Sequence, residues 1–191
     1  MANARSVPSC LFAVTARCWA GLWLLAVAAV APTAFAHGPV DASISVCFIP
    51  GEPCSSQVEA AIDGAQTEIR VQAYGFTSAP ILAALVRARR RGVDVAVILD
   101  RSNQWQGYSG ATFIAHADIP VWIDHPSGIA HSKVIVVDRR LVVGGSMNYT
   151  TAATARNAEN VTFIDSSEVA TWFLANWSAR RAVSAAYAPR N

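Results

Sequence analysis

The sequence predicts an α/β fold, a largely parallel or mixed sheet covered by helices, and three observations lead to it. Short runs rich in valine, isoleucine and phenylalanine alternate with longer amphipathic segments along most of the chain, which is the strand and helix rhythm of sheets with helices on their faces. The 155 residues that follow a leader-like first 36 are one domain's worth. No internal repeat or low-complexity linker divides them.

Residues 1–36 read as an export signal. Arg5 and Arg17 supply positive charge, residues 19–30 an apolar core, and Ala34-Phe35-Ala36 a small-x-small cleavage site. The apolar run is shorter than the roughly 20 residues of a bilayer span, so a cleaved signal is expected, with an uncleaved anchor as the alternative. The mature chain, residues 37–191, is then expected to be soluble, periplasmic or secreted, without stable membrane insertion. It keeps 13 cationic and 13 acidic side chains. That balance removes net charge as an argument for nucleic-acid binding and leaves only local patches.

The elements follow in order. "SISVCF" is a β-branched strand, and residues 55–66 form an apolar-periodic helix. Between them "FIPGEP", with two prolines and a glycine, can turn the chain back and bring Cys47 near Cys54. In an oxidising compartment a disulfide is expected, with metal binding by the pair as the alternative. "EIRVQAY" is a strand, residues 79–91 a helix and "VDVAVILD" a strand. Arg87, Arg89, Arg90 and Arg91 crowd the end of that helix, where cations favour the C-terminus; a surface that tracks phosphates is the alternative. Residues 101–110, "RSNQWQGYSG", form a polar loop after a strand's C-terminal end, where binding groups often sit. A helix at 111–117, a strand "PVWI", a strand "NVTFID" and a helix at 166–181 complete the set. In the last helix Val169, Trp172, Phe173, Asn176 and Trp177 recur at helical spacing, and all but Asn176 are apolar, so its tryptophans read as core and not as stacking platforms.

The chemistry concentrates in "HSKVIVVDRRLVVGGSMN", residues 131–148, which holds Lys133, the one lysine beside fourteen arginines. Two β-branched runs flank Asp138-Arg139-Arg140-Leu141 and read as a hairpin. Strand alternation puts His131 and Lys133 on one face, and likewise Ser146 and Asn148. With Arg139 and Arg140 as a two-residue loop, Asp138 pairs with Leu141, Lys133 faces Ser146 and His131 faces Asn148. Four polar groups then converge at one end of an apolar hairpin. They suit a phosphodiester: imidazole can attack phosphorus, while a compact ammonium and a neutral NH₂ can hold the non-bridging oxygens. His37, His116 and His125 have no lysine or asparagine at such spacing and read as structural or surface residues.

The string H-x-K-x₄-D-x₆-G-S-x-N, carried by His131, Lys133, Asp138, Gly145, Ser146 and Asn148, resembles the HKD signature of the phospholipase D superfamily. The likeness extends through residues 60–100, "IPVWID" and "RNAENVTFID", and so over most of 44–181. With one motif, a leader and this length, the chain looks like the small Nuc-type endonucleases of that superfamily and like related proteins encoded near conjugation systems. The resemblance implies a phospholipase D-like α/β/α sandwich with a central mixed β-sheet, a phosphohistidine intermediate, no metal or other cofactor, and a homodimeric site. It makes His131 the nucleophile or acid, Lys133 and Asn148 the phosphate ligands, and Glu159 the residue that orients the imidazole, supported by Ser146. Asp138 belongs to the motif, yet the strand reading places it at the turn, which gives it a structural role. In the 101–110 loop the chain departs from such nucleases, carrying Trp105 and Tyr108 but no cation after Arg101; the two rings could stack a base or lie along an acyl chain. Three functions follow as expectations: a nuclease acting on nucleic acid, a phospholipase D acting on phospholipid headgroups, and an idle accessory protein of a secretion or conjugation machine.

Overall fold

The strands Glu68–Ala73 (β2) and Asp94–Asp100 (β3) pair in parallel with Ile69 opposite Val95 and Val71 opposite Val97. Both lie inside the sheet with helices on each side; β3 is apolar on both faces between its terminal acids, whereas β2 places Glu68, Arg70 and Gln72 on one face. The computed structural model describes residues 37–104 and 110–189. The leader segment and the loop residues Trp105 and Tyr108 lie outside the described residues.

Around β2 and β3 the chain lays down β1 (Ser43–Ile49), α1 (Cys54–Asp63), α2 (Ala79–Arg90), α3 (Gly110–Ala115), β4 (Val121–Asp124), β5 (Lys133–Val137), β6 (Leu141–Gly145), α4 (Thr151–Ala155), β7 (Glu159–Asp165), α5 (Ser167–Ala182) and β8 (Ala185–Ala186), with a 3-10 turn at Arg101–Gln104. One eight-stranded sheet results, in the order β1-β7-β6-β5-β2-β3-β4-β8. It is mixed: β2, β3 and β4 run parallel, and the remaining pairs are antiparallel. On one face α1, α2 and α3 bury Val58, Ile62, Ile81, Leu85 and Ile114 against Ile69, Val71 and Val97. On the other, α5 packs Val169, Ala170 and Leu174 against Val136 and Val142, and Trp177 against Ala96 and Ile98. The arrangement is the expected α/β/α sandwich. Trp177 is core, with its indole N–H donating to the Val71 carbonyl at 3.0 Å, and Trp172 packs half-buried against the cluster that holds Val136 and Val142.

Two of the four clustered arginines hold the helix end. Arg87 pairs with Asp63 at 2.6 Å and Arg91 with the same carboxylate at 3.6 Å, tying α2 to α1. Cys47 and Cys54 are joined, S–S 2.07 Å, and fasten β1 to the first turn of α1. Among the described residues no helix is long and apolar enough to cross a membrane.

The hairpin corrects the expected register by one residue. Val137, not Asp138, pairs with Leu141, and Val134 lies opposite Gly144. The turn falls at Asp138 and Arg139, whose φ angles are 48° and 55°, and the Arg140 amide donates to the Val137 carbonyl at 3.0 Å. Two consecutive left-handed residues match the strand twist, and Asp visits that region more readily than most residues. A two-residue loop at Arg139-Arg140 would forgo this.

Candidate active site

The strand order brings three chain segments to one end of the sheet. Lys133, which opens β5, pairs with Ala73, the last residue of β2. The residues just after β2, Tyr74 and Gly75, therefore meet those just before β5, among them His131. On the far side of β5, β6 ends at Gly145 opposite Val161, two residues into β7, so Ser146 to Asn148 and Glu159 arrive at the same edge.

Tyr74 is the centre of this cluster. The His131 ring stands edge-on to it, with centroids 4.8 Å apart, and the Lys133 ammonium lies 5.6 Å from its ring centre. Lys133 is 8% exposed and donates to the carbonyl of His131 at 2.8 Å. Burial pushes its pKa down, and the Glu159 charge opposes this without cancelling it. Such a cation, partly stripped of water, gains much from a phosphate oxygen.

The glycine of the motif shapes the other wall. Gly145 has φ +140°, and a Cβ there would overlap the Asn160 carbonyl. Only glycine tolerates both constraints. The amides of Ser146 and Met147 then share that one carbonyl, at 3.1 and 3.4 Å, a bulge that buries Met147 and leaves Ser146 exposed. Asn148 accepts from the Gly75 amide at 3.3 Å through Oδ1, which leaves its NH₂ available. Ser146 Oγ donates to Glu159 at 2.5 Å and accepts from the Asn160 amide at 3.0 Å, while Asn157 donates to the second Glu159 oxygen at 2.9 Å.

Of the residues singled out, His131, Lys133, Ser146, Asn148 and Glu159 thus gather at one edge. Glu159 bonds to Ser146 and Asn157, and among the described residues the Tyr74 ring stands against the imidazole. Asp138 lies at the opposite end of β5. Its carboxylate accepts from the Gln66, Thr67 and Glu68 amides at 2.9, 2.7 and 3.0 Å and from the Thr67 hydroxyl at 2.8 Å. Burial raises its pKa, but the Thr67, Gln66 and Glu68 amides more than offset this and hold it below the usual carboxylate range.

Sequence reasoning missed the frame behind the histidine. Asp100, 1% exposed at the end of β3, accepts from the Ala130 amide at 2.7 Å and from the Ser102 amide at 2.9 Å. Burial opposes ionisation, yet these amides keep its pKa low. Asn103 donates to the carbonyls of Tyr74 at 2.7 Å and Asp100 at 3.1 Å. The end of β3 therefore fixes both neighbours of the imidazole, the residue before it and the ring beside it. A lone acid closing the apolar run "VDVAVILD" was the available signal.

The arrangement offers a nucleophilic imidazole in the open, an ammonium and an amide NH₂ to bind anionic oxygens, and a carboxylate network behind them. The family described as "Cardiolipin synthase, PLD-like domain" matches residues 58–180. A phospholipase D of Rickettsia felis is 46% identical over 139 residues, 73% of this chain and 70% of its own. The human mitochondrial cardiolipin hydrolase is 31% identical over 129 residues, 67% of this chain and 51% of its own. Among solved structures, a phospholipase D family member, Nuc from Salmonella typhimurium, superposes with TM-score 0.72 at 37% identity, covering 77% of this chain and 99% of that one. A chain matched across most of its length by that domain, with the motif residues assembled at one sheet edge, belongs to the phospholipase D superfamily and is one of its phosphodiester hydrolases.

Proposed function

We propose that the protein is a nuclease that cuts DNA or RNA with little sequence preference, through a covalent phosphohistidine at His131, as a homodimer outside the cytoplasm. The observation that carries this reading is the meeting of His131 and Lys133 at Tyr74 with Asn148, whose NH₂ is free, at the adjoining Gly75. An imidazole nitrogen attacks phosphorus, forming the P–N bond as the bond to the leaving oxygen breaks. A second, protonated imidazole gives that oxygen its proton, then takes one from the water that hydrolyses the P–N bond. Lys133 and Asn148 bind the non-bridging oxygens throughout.

One chain carries a single H-x-K motif, so the second imidazole is supplied by a second copy across a two-fold axis. Two-metal nucleases gather several carboxylates at the reacting phosphate. Here Asp138 is committed to backbone amides at the far end of β5, and Glu159 is held by Ser146 and Asn157, which supports chemistry without a metal. The disulfide and the leader-like first residues support an oxidising compartment.

A nucleic-acid substrate is supported by the likeness to Nuc, whose chain is spanned almost completely. A phospholipid substrate is the second reading, favoured by the names of the Rickettsia and human relatives. Plasmid DNA, RNA and phosphatidylcholine vesicles, each incubated with the protein with and without EDTA, separate the two. Cleavage of nucleic acid that survives chelation supports the proposal. Release of choline without nucleic-acid cleavage overturns the substrate, and loss of all activity in EDTA with recovery in Mg²⁺ overturns the mechanism.

A further inference from the structure

Two polar side chains on the α5 side of the sheet, Gln72 and Asn176, play no part in the activity described above. Gln72 lies within β2, 7% exposed, on the face that also carries Glu68 and Arg70, and Asn176 sits exposed on α5. The structure brings them together: Gln72 Nε2 donates to Asn176 Oδ1 at 3.3 Å. They wall a cavity of about 270 Å³ that reaches His131 and Ser132 and is completed by Ile98, Ile129, Asp124 and Arg180.

The lining selects the ligand. Asp124, 3% exposed, is matched by two hydrogen bonds from Arg180, at 2.8 and 2.5 Å, so the wall carries no net charge. An ammonium headgroup would want an unpaired carboxylate or an aromatic cage, and neither lines this cavity. The bonded amide pair leaves one carbonyl oxygen and one NH₂ unused on the same wall, and exchanging O and N on both side chains leaves the same set. A neighbouring acceptor and donor match the hydrogen-bonding edge of a neutral planar ring.

We propose that this cavity is a subsite for the unpaired nucleobase next to the scissile phosphate, so that the enzyme prefers single-stranded nucleic acid. The proposal rests on the nuclease reading. A base in a duplex has its edge paired and its faces stacked, and must leave the stack to enter.

The test compares wild type with Gln72→Met, Asn176→Leu and Ile129→Trp, the last placing bulk at an exposed rim position, each checked for unchanged melting. Substrates are a single-stranded oligonucleotide, its duplex, phosphatidylethanolamine vesicles, and bis(p-nitrophenyl) phosphate, which has no base. We expect wild type to favour the single strand. We expect each variant to lose about fivefold to tenfold in kcat/KM on it, mainly through KM, as one or two hydrogen bonds to a ligand are worth, with rates on bis(p-nitrophenyl) phosphate unchanged. Equal losses on both phosphodiesters, or no loss on the oligonucleotide, overturn the subsite. Losses confined to the vesicles assign the cavity to a headgroup and overturn it too. Wild type that cleaves bis(p-nitrophenyl) phosphate but no nucleic acid overturns the nuclease reading itself.

Discussion

Replacing Asp138 by Asn tests whether this acid of the motif acts through the fold. Asn tolerates the left-handed backbone at this position, φ 48°, so the change isolates the carboxylate. One Asp138 oxygen accepts from the Thr67 amide, the Thr67 hydroxyl and the Glu68 amide, and the other from the Gln66 amide. The Asn oxygen can keep the first group, but as neutral hydrogen bonds roughly half as strong, while its NH₂ would face the Gln66 N–H and lose that bond. Much of the site is open to water, which reduces the sum, and we expect a loss of about 2 to 3 kcal/mol at pH 7. For a domain of this size that lowers the melting temperature by about 5 to 10 °C. The folded-state pKa is depressed, so the contribution is complete above the unfolded value of about 3.9 and is lost as pH falls through the lower folded value. Urea unfolding at pH 7 and at pH 3 measures both ends, and the gap between wild type and variant should narrow at acid pH. Turnover at a temperature where both are folded should stay near wild type. A pH 7 difference below about 0.5 kcal/mol, or abolished turnover in a fully folded variant, would refute this account.

Four further outcomes are expected. Lys133→Arg should retain little activity, because the buried position beside Tyr74 and the His131 carbonyl suits a compact ammonium; near-normal rates would show that charge alone suffices. Glu159→Gln should move the alkaline limb of the rate profile to lower pH, since the Glu159 charge raises the Lys133 pKa against the dominant effect of burial; an unmoved limb would separate the two residues. Asp100→Ala should release the Ala130 amide and lower kcat on bis(p-nitrophenyl) phosphate by about tenfold or more, with a crystal structure showing His131 displaced, and an undisturbed imidazole would contradict it. Reduction of the Cys47–Cys54 bond should destabilise the protein by about 2 kcal/mol in urea; mass spectrometry finding two free thiols in protein from the periplasm would count against the bond.

Local pattern made the sheet and its main helices readable, because β2, β3 and α2 bury faces that recur at strand or helix period. The β-branched runs around Asp138 revealed the hairpin but not its register, since left-handed backbone at Asp138 and Arg139 leaves no mark as clear as Asn-Gly. The five-residue α4 and two-residue β8 are too short for any period to show. His131, Lys133 and Asn148 were legible because their spacing is local. Tyr74, Asp100 and Gln72 come from strands that meet β5 or its loop only after folding, and no spacing along the chain announces that.

The hydrogen bond from the Lys133 ammonium to the His131 carbonyl also governs what motion can do to this site. The loop before β5 is held at Ala130 by the Asp100 carboxylate, and Lys133 stands at the head of β5. The tether joins the backbone of His131, the proposed nucleophile, to the cation, so a displacement of one that keeps this bond carries the other with it. Two independently mounted groups would lose their relative aim under the same displacement; a bond between them makes imidazole backbone and ammonium one unit.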